Sequence, residues 1–114
     1  MSYYEGWRDI KGEAHVRKVV DGKPRGLRKR LDLDNHSPDG FEWGYGGSGP
    51  AQLALALLAD ALGDGQRAVR LHQQFKWRVI AKLRQDMYWR LSVENILEHA
   101  RAIEAQKRPH WIEE

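Results

Sequence analysis

Apolar and polar positions alternate with period two over the first thirty or so residues. Past position 50 they recur with the 3.6-residue period of a helix, so sheet should precede helix. Residues 3–9 and 14–20 read as strands parted by a turn at Lys11-Gly12. Within VVDGKPRG, Asp21 and Gly22 can both take the positive φ that a two-residue hairpin turn needs. Pro24 cannot donate to a ladder and should lie just outside it. A third strand is expected over 26–33, with Leu27, Leu31 and Leu33 on one face and Arg28, Arg30 and Asp32 on the other. Lys29 interrupts its apolar face, as suits an edge strand or one that pairs across a dimer. DLDNHSPDG is dense in turn formers, and residues 41–45 alternate again as a short fourth strand.

The helical half begins after Pro50, which a first helical turn tolerates, with Ser48 or Gly49 as cap. Residues 51–62 are apolar nearly all round, only Gln52 and Asp60 being polar, so this helix should be buried on several sides and stopped by Gly63 and Gly65. A second helix is expected over 66–84, with Val69, His72, Phe75, Val79 and Leu83 as its inner stripe. Residues 88–91 read as a short strand. Ser92 then caps a third helix over 93–106, packed through Ile96, Leu97, Ala100 and Ile103, and Pro109 stops it before a tail that docks through Trp111. The order is βββ, β, α, α, β, α: one α+β domain over 1–114, β-rich to about 45 and helical over about 49–106, with a small antiparallel sheet packed by three helices.

Composition narrows the setting. With 114 residues and no cysteine, the chain can bury a core without disulfides or thiolate metal sites. The apolar run at 53–59 is far too short for a membrane span and the first residues resemble no signal peptide, so a soluble, cytoplasmic protein is expected. The net charge is +3, yet positions 1–31 hold nine basic residues against four acidic ones, a balance suited to nucleic acid, a nucleotide or an acidic protein.

The candidate chemistry lies in GFEWGYGGSGPAQLALALL. Gly44-Tyr45-Gly46-Gly47-Ser48-Gly49 satisfies the dinucleotide spacing G-x-G-x-x-G. No parallel strand follows at crossover distance, and no acidic residue ends such a strand, so a dinucleotide fold is not implied. No Lys-Ser or Lys-Thr follows the last glycine, which excludes a P-loop. A looser function remains: the amides of Gly46, Gly47, Ser48 and Gly49 would hold a phosphate, Trp43 and Tyr45 would stack a base, and Arg25, Arg28 and Arg30 would close over it. The competing reading is a tight corner whose aromatics are core.

That block, with HQQFKWRVIAKL and the W-x-L-S segment, resembles an uncharacterised family of short proteins encoded by phages, prophages and other bacterial mobile elements, over about 19–103. The resemblance implies no catalytic residues. It implies a small protein that binds and disables a host component, including the nucleotide signals of antiviral systems. The leading expectation is therefore a non-enzymatic counter-defence protein holding a nucleotide-like ligand, without cofactor, as a homodimer or higher oligomer paired through sheet edges. The alternative is an anti-CRISPR-like or regulatory blocker of protein or nucleic acid, using Arg67, Arg70, Trp77 and Arg78 on the second helix and the basic hairpin. The five histidines include no i, i+3 or i, i+4 pair, so no metal site on one helix is expected. His36, Asp39 and Glu42 gather before the glycines as an acid–base set of weak pedigree, since carboxylates in turns are usually solvated.

Overall fold

A strand with period-two alternation can bury one face only, and its register is fixed by which face that is. The structure, a computed structural model describing residues 1–106, pairs strand β1 (Ser2–Arg8) antiparallel with β2 (Ala14–Val20), so that Tyr4 lies opposite Lys18 and Gly6 opposite Val16. Asp21 and Gly22, at φ of 50° and 81°, make the two-residue turn into β3 (Lys23–Gly26). Strand β4 (Trp89–Ser92) joins the free side of β1, giving the order β3-β2-β1-β4, antiparallel throughout. On the outer face Glu5 accepts from the Tyr88 hydroxyl at 2.6 Å and from Arg17 Nε at 2.7 Å. These two bonds, the tyrosine's first, hold the carboxyl below its ordinary range.

Two expected strands are corrected. The third ends at Gly26 and does not run to 33, and Pro24 lies inside it, opposite Val19 on an edge strand where a missing donor is tolerated. Beyond it the chain turns: Arg30 takes φ of 60°, accepts from the Leu33 amide at 3.0 Å and grips Asp32 through two 3.1 Å bonds. Leu27 and Leu33 pack on the core from this loop, so their spacing reported burial without a ladder. Residues 41–45 are not a strand either. Gly44, at φ of 90°, breaks the extended run and donates to the Ile80 carbonyl at 3.0 Å.

Helix α1 (Ser48–Leu62) is buried from Gly49 to Ala59 and ends at Gly63, whose φ of 66° lets its amide return to the Ala59 carbonyl. Gly65, expected as part of that stop, instead opens α2 (Gly65–Arg78), where Asp64 caps the Arg67 amide at 3.1 Å. The second helix is shorter than expected and passes into a 3₁₀ turn, Ile80–Lys82. Ala68, Leu71, His72 and Phe75 line its inner side. Helix α3 (Val93–Gln106) starts with a reciprocal cap: Asn95 N donates to Ser92 Oγ at 3.0 Å, and Ser92 N donates to Asn95 Oδ1 at 3.3 Å. Ile96, Ala100 and Ile103 bury its packing stripe. The result is an α+β fold of four antiparallel strands and three helices, in which α1 is the central piece. The expected stop at Pro109 and docking of Trp111 lie outside the described residues. No described helix is long and apolar enough to cross a membrane.

Gln52, fully buried on α1, is satisfied on every side. Its Oε1 accepts from His36 N at 2.8 Å and Ser37 N at 3.0 Å, and its Nε2 donates to Lys29 O at 2.6 Å and Asp34 O at 3.1 Å. The Gln52→Leu variant keeps the volume but strands two donors and two acceptors. Its unfolding free energy should fall by at least about 2 kcal/mol, with proteolysis shifted into residues 27–40. Urea unfolding with an unchanged midpoint would contradict this role.

Candidate functional site

The first N–H groups of any helix lack intrahelical partners, and a capping side chain usually takes one or two of them. Helices α2 and α3 have such caps, whereas α1 does not. Its N-cap is Gly47, which has no side chain to offer, and its first turn carries no acidic residue. Among the described residues nothing accepts from the amides of Gly46, Gly47, Ser48 or Gly49. No side chain among the described residues caps the positive end of the α1 dipole.

A second positive charge sits beside it. Lys76 rises from α2 with only 7% of the residue exposed, and its Nζ donates to the Gly46 carbonyl over a long 3.4 Å. The ammonium also lies 4.4 Å from the centroid of Trp77. No carboxylate among the described residues pairs with it. Two aromatic rings frame the patch, Trp77 at 58% exposure and Tyr45 at 42%. Both lie flush on the glycines: a Cβ at Gly46 would stand 2.0 Å from Trp77 Cη2, and one at Gly47 would stand 2.5 Å from Tyr45 Cε2. Tyr45 also walls a cleft of about 450 Å³ with Arg8, Glu42, Gln85 and Asp86.

Arg8 fixes the cleft's floor. It reaches from β1 to grip Glu42 at 2.7 and 3.3 Å, donates Nε to the Gln85 carbonyl at 2.6 Å, and lies over the Trp43 ring at 4.5 Å. The segment before the glycines is thereby clamped to the sheet by one guanidinium, and Gly49 packs directly beneath Glu42.

Of the residues expected at the site, Tyr45, Gly46, Gly47, Ser48 and Gly49 come together, and Ser48 is exposed. Trp43 does not join them as a stacking surface. It is fully buried, edge-on to Trp89 at 5.7 Å, because the chain turns inward at Gly44. Arg25, Arg28 and Arg30 do not close over the glycines. Arg25 lies on the outer strand β3 opposite Lys18, while Arg28 and Arg30 line a cavity with Ala59, Asp60 and Gly63 at the far end of α1, about 20 Å of helix away. On α2, Arg67 is bound to Glu104 by bonds of 2.9 and 2.8 Å, and Arg78 Nε donates to His99 Nδ1 at 3.0 Å. Arg70 is exposed, and Trp77 lies on Gly46 while also lining a cavity with Arg78 and Lys82. The acid–base set is divided: Glu42 is held by Arg8, and His36 by His72.

Sequence reasoning missed Lys76 and Arg8. Lys76 had a usable signal, since it falls one turn after His72 and beside Phe75, where a solvated lysine is out of place. Arg8 had none, because its partners are 34 and 77 residues away.

Fold and site together define a small α+β domain whose central helix opens uncapped between two exposed aromatics. The chain belongs to a family of unknown function (DUF6166), whose model matches residues 4–102, from β1 into α3 and across the whole glycine block. No curated protein and no solved structure matches it.

The glycines are not equivalent. Gly44→Ala should cost about 1–3 kcal/mol, because a Cβ at its φ of 90° is strained and would stand 2.8 Å from the Gln85 Cα. Gly46→Ala has only to swing the Trp77 ring and should cost less while changing tryptophan fluorescence. Equal losses in chemical denaturation would contradict this.

Proposed function

We propose that this chain is a non-enzymatic binding protein that holds a phosphorylated, nucleotide-like ligand at the start of α1. The phosphate rests on the amides of residues 46–49 and on the Lys76 ammonium, and the base lies against Tyr45 or Trp77. One observation carries the reading: a nearly buried lysine with no acidic partner among the described residues points at an uncapped helix start. A buried charge costs several kcal/mol unless it is paired, and here it has one long bond to the Gly46 carbonyl and the Trp77 ring, beside a helix start of its own sign. A bound anion relieves both at once. Base stacking on an exposed aromatic is worth about 1–3 kcal/mol, and two such rings flank the seat.

The phage or mobile-element origin implied by the family resemblance would give such binding a purpose, the withdrawal of a nucleotide signal from a host defence system. Strands β3 and β4 are the outer strands of the sheet, where the expected homodimer would pair. The alternative, a nucleic-acid or protein blocker working through α2, draws less support because Arg67 and Arg78 are engaged within the fold.

Thermal-shift and calorimetric titration with inorganic phosphate, pyrophosphate and mono-, di- and cyclic nucleotides tests the proposal. At least one nucleotide should raise the melting temperature, and Lys76→Met should weaken its binding tenfold or more. Ser48→Asp supplies the missing acidic residue. It should stabilise the free protein by about 0.3–1 kcal/mol and abolish ligand binding. If no nucleotide shifts the melting temperature, the proposal fails. Salt-sensitive DNA or RNA binding lost on changing Arg67, Arg70 and Arg78 would put the blocker in its place.

A further inference from the structure

A second cluster begins one helical turn before Lys76 on α2, uses none of the glycine amides and is independent of the function proposed for them. His36 stands in the loop before α1, and His72 stands on α2. The loop is pinned on either side of the cluster by Gln52, which donates to the Asp34 carbonyl at 3.1 Å and accepts from the His36 amide at 2.8 Å. His72 is 3% exposed, and its Nδ1 lies 2.7 Å from the Val69 carbonyl. A carbonyl can only accept, so Nδ1 carries the proton and Nε2 presents a lone pair. That lone pair meets His36 Nε2 at 2.9 Å, and Asp34 Oδ2 lies 3.2 Å from the same nitrogen.

Two imidazole nitrogens and one carboxylate oxygen thus converge, all within 4.8 Å of one another. With protein atoms alone, one N–H on His36 faces two acceptors, and His72 Nε2 has one further, long donor in Gln73 Nε2 at 3.4 Å. Holding a metal-ligating imidazole by a backbone carbonyl on its other nitrogen is the usual way of orienting such a ligand. A tetrahedral zinc ion about 2.0–2.1 Å from each nitrogen needs them about 3.3 Å apart, so the pair has only to open by about 0.4 Å. The His36 and Asp34 side chains are 23% and 43% exposed, which leaves an approach and an open coordination position on the solvent side.

We propose that Asp34 Oδ2, His36 Nε2 and His72 Nε2 bind one divalent transition-metal ion, zinc foremost, with water completing the coordination. Imidazole with carboxylate suits zinc, cobalt and nickel, and the absence of thiolate disfavours copper(I). On binding, the His36 Nε2 proton is exchanged through solvent for one on Nδ1, so the ring stays neutral and no net proton is released. The cluster of Asp9, Glu13 and His15 is a natural control, because Asp9 is already committed there to the amides of Lys11 and Glu13 and to His15.

Tag-free, full-length protein, freed of metal by chelation, is titrated with zinc by calorimetry and with cobalt(II) by visible absorption. One equivalent should bind, with the intense ligand-field bands of a four-coordinate cobalt site, and zinc should raise the melting temperature. His36→Asn and Asp34→Asn, both at partly exposed positions, should each weaken binding at least tenfold, whereas His15→Asn should leave it unchanged. His72→Gln should also lose binding, circular dichroism confirming that it folds. The proposal is overturned if neither metal binds saturably, if binding survives His36→Asn, or if His15→Asn removes it.

Discussion

The rest of the structure depends on how α1 satisfies its one buried polar side chain. Eleven consecutive residues of this helix are buried, and among them only Gln52 has a polar side chain. A buried amide left unpartnered would cost several kcal/mol, so the chain around it must bring two donors and two acceptors to one place. The loop after β3 does so with Lys29, Asp34, His36 and Ser37. That requirement holds a segment rich in turn formers against the core and carries His36 to His72. A dense side-chain cluster and an irregular loop thus share one cause.

The opposite demand operates a turn earlier. The start of α1 must enter the core beside the 3₁₀ turn and α2, and the glycines let it pass close beneath Glu42, Tyr45 and Trp77. Tight packing therefore accounts for their number, and glycine content by itself is no sign of a ligand. The sign lies in what tight packing leaves behind: a helix start with no cap, beside a lysine with no acidic partner among the described residues. The chain caps its other two long helices with Asp64 and with Ser92 and Asn95, so the omission is confined to this patch.

Much of this was legible in the sequence. The strands at the start, the Asp21-Gly22 turn, the buried helix and the Ser92 cap each follow from local periodicity or turn chemistry, which act over a few residues. Errors came where tertiary packing borrowed a local pattern. Leu27 and Leu33 alternate as a strand would, but they bury themselves from a loop, because Arg30 turns the chain. Trp43 looked available for stacking until Gly44 directed the chain inward. The site's charge was invisible for the same reason. Arg28 and Arg30 are near the glycines in sequence but at the other end of α1, whereas Lys76 is thirty residues from Gly46 and touches it. Histidine spacing likewise speaks only for single helices, and the His36–His72 pair spans two segments.

The central claim is that the amides at the start of α1 are an anion seat. Proton–nitrogen correlation spectra recorded during titration with pyrophosphate, and with a nucleotide found to bind, test it most directly. The account predicts saturable shifts, largest at the amides of Gly46, Gly47, Ser48 and Gly49, together with perturbation of the Trp77 indole N–H. Spectra in which those four amides stay fixed while signals of the β2–β3 hairpin or the outer side of α2 move would contradict it.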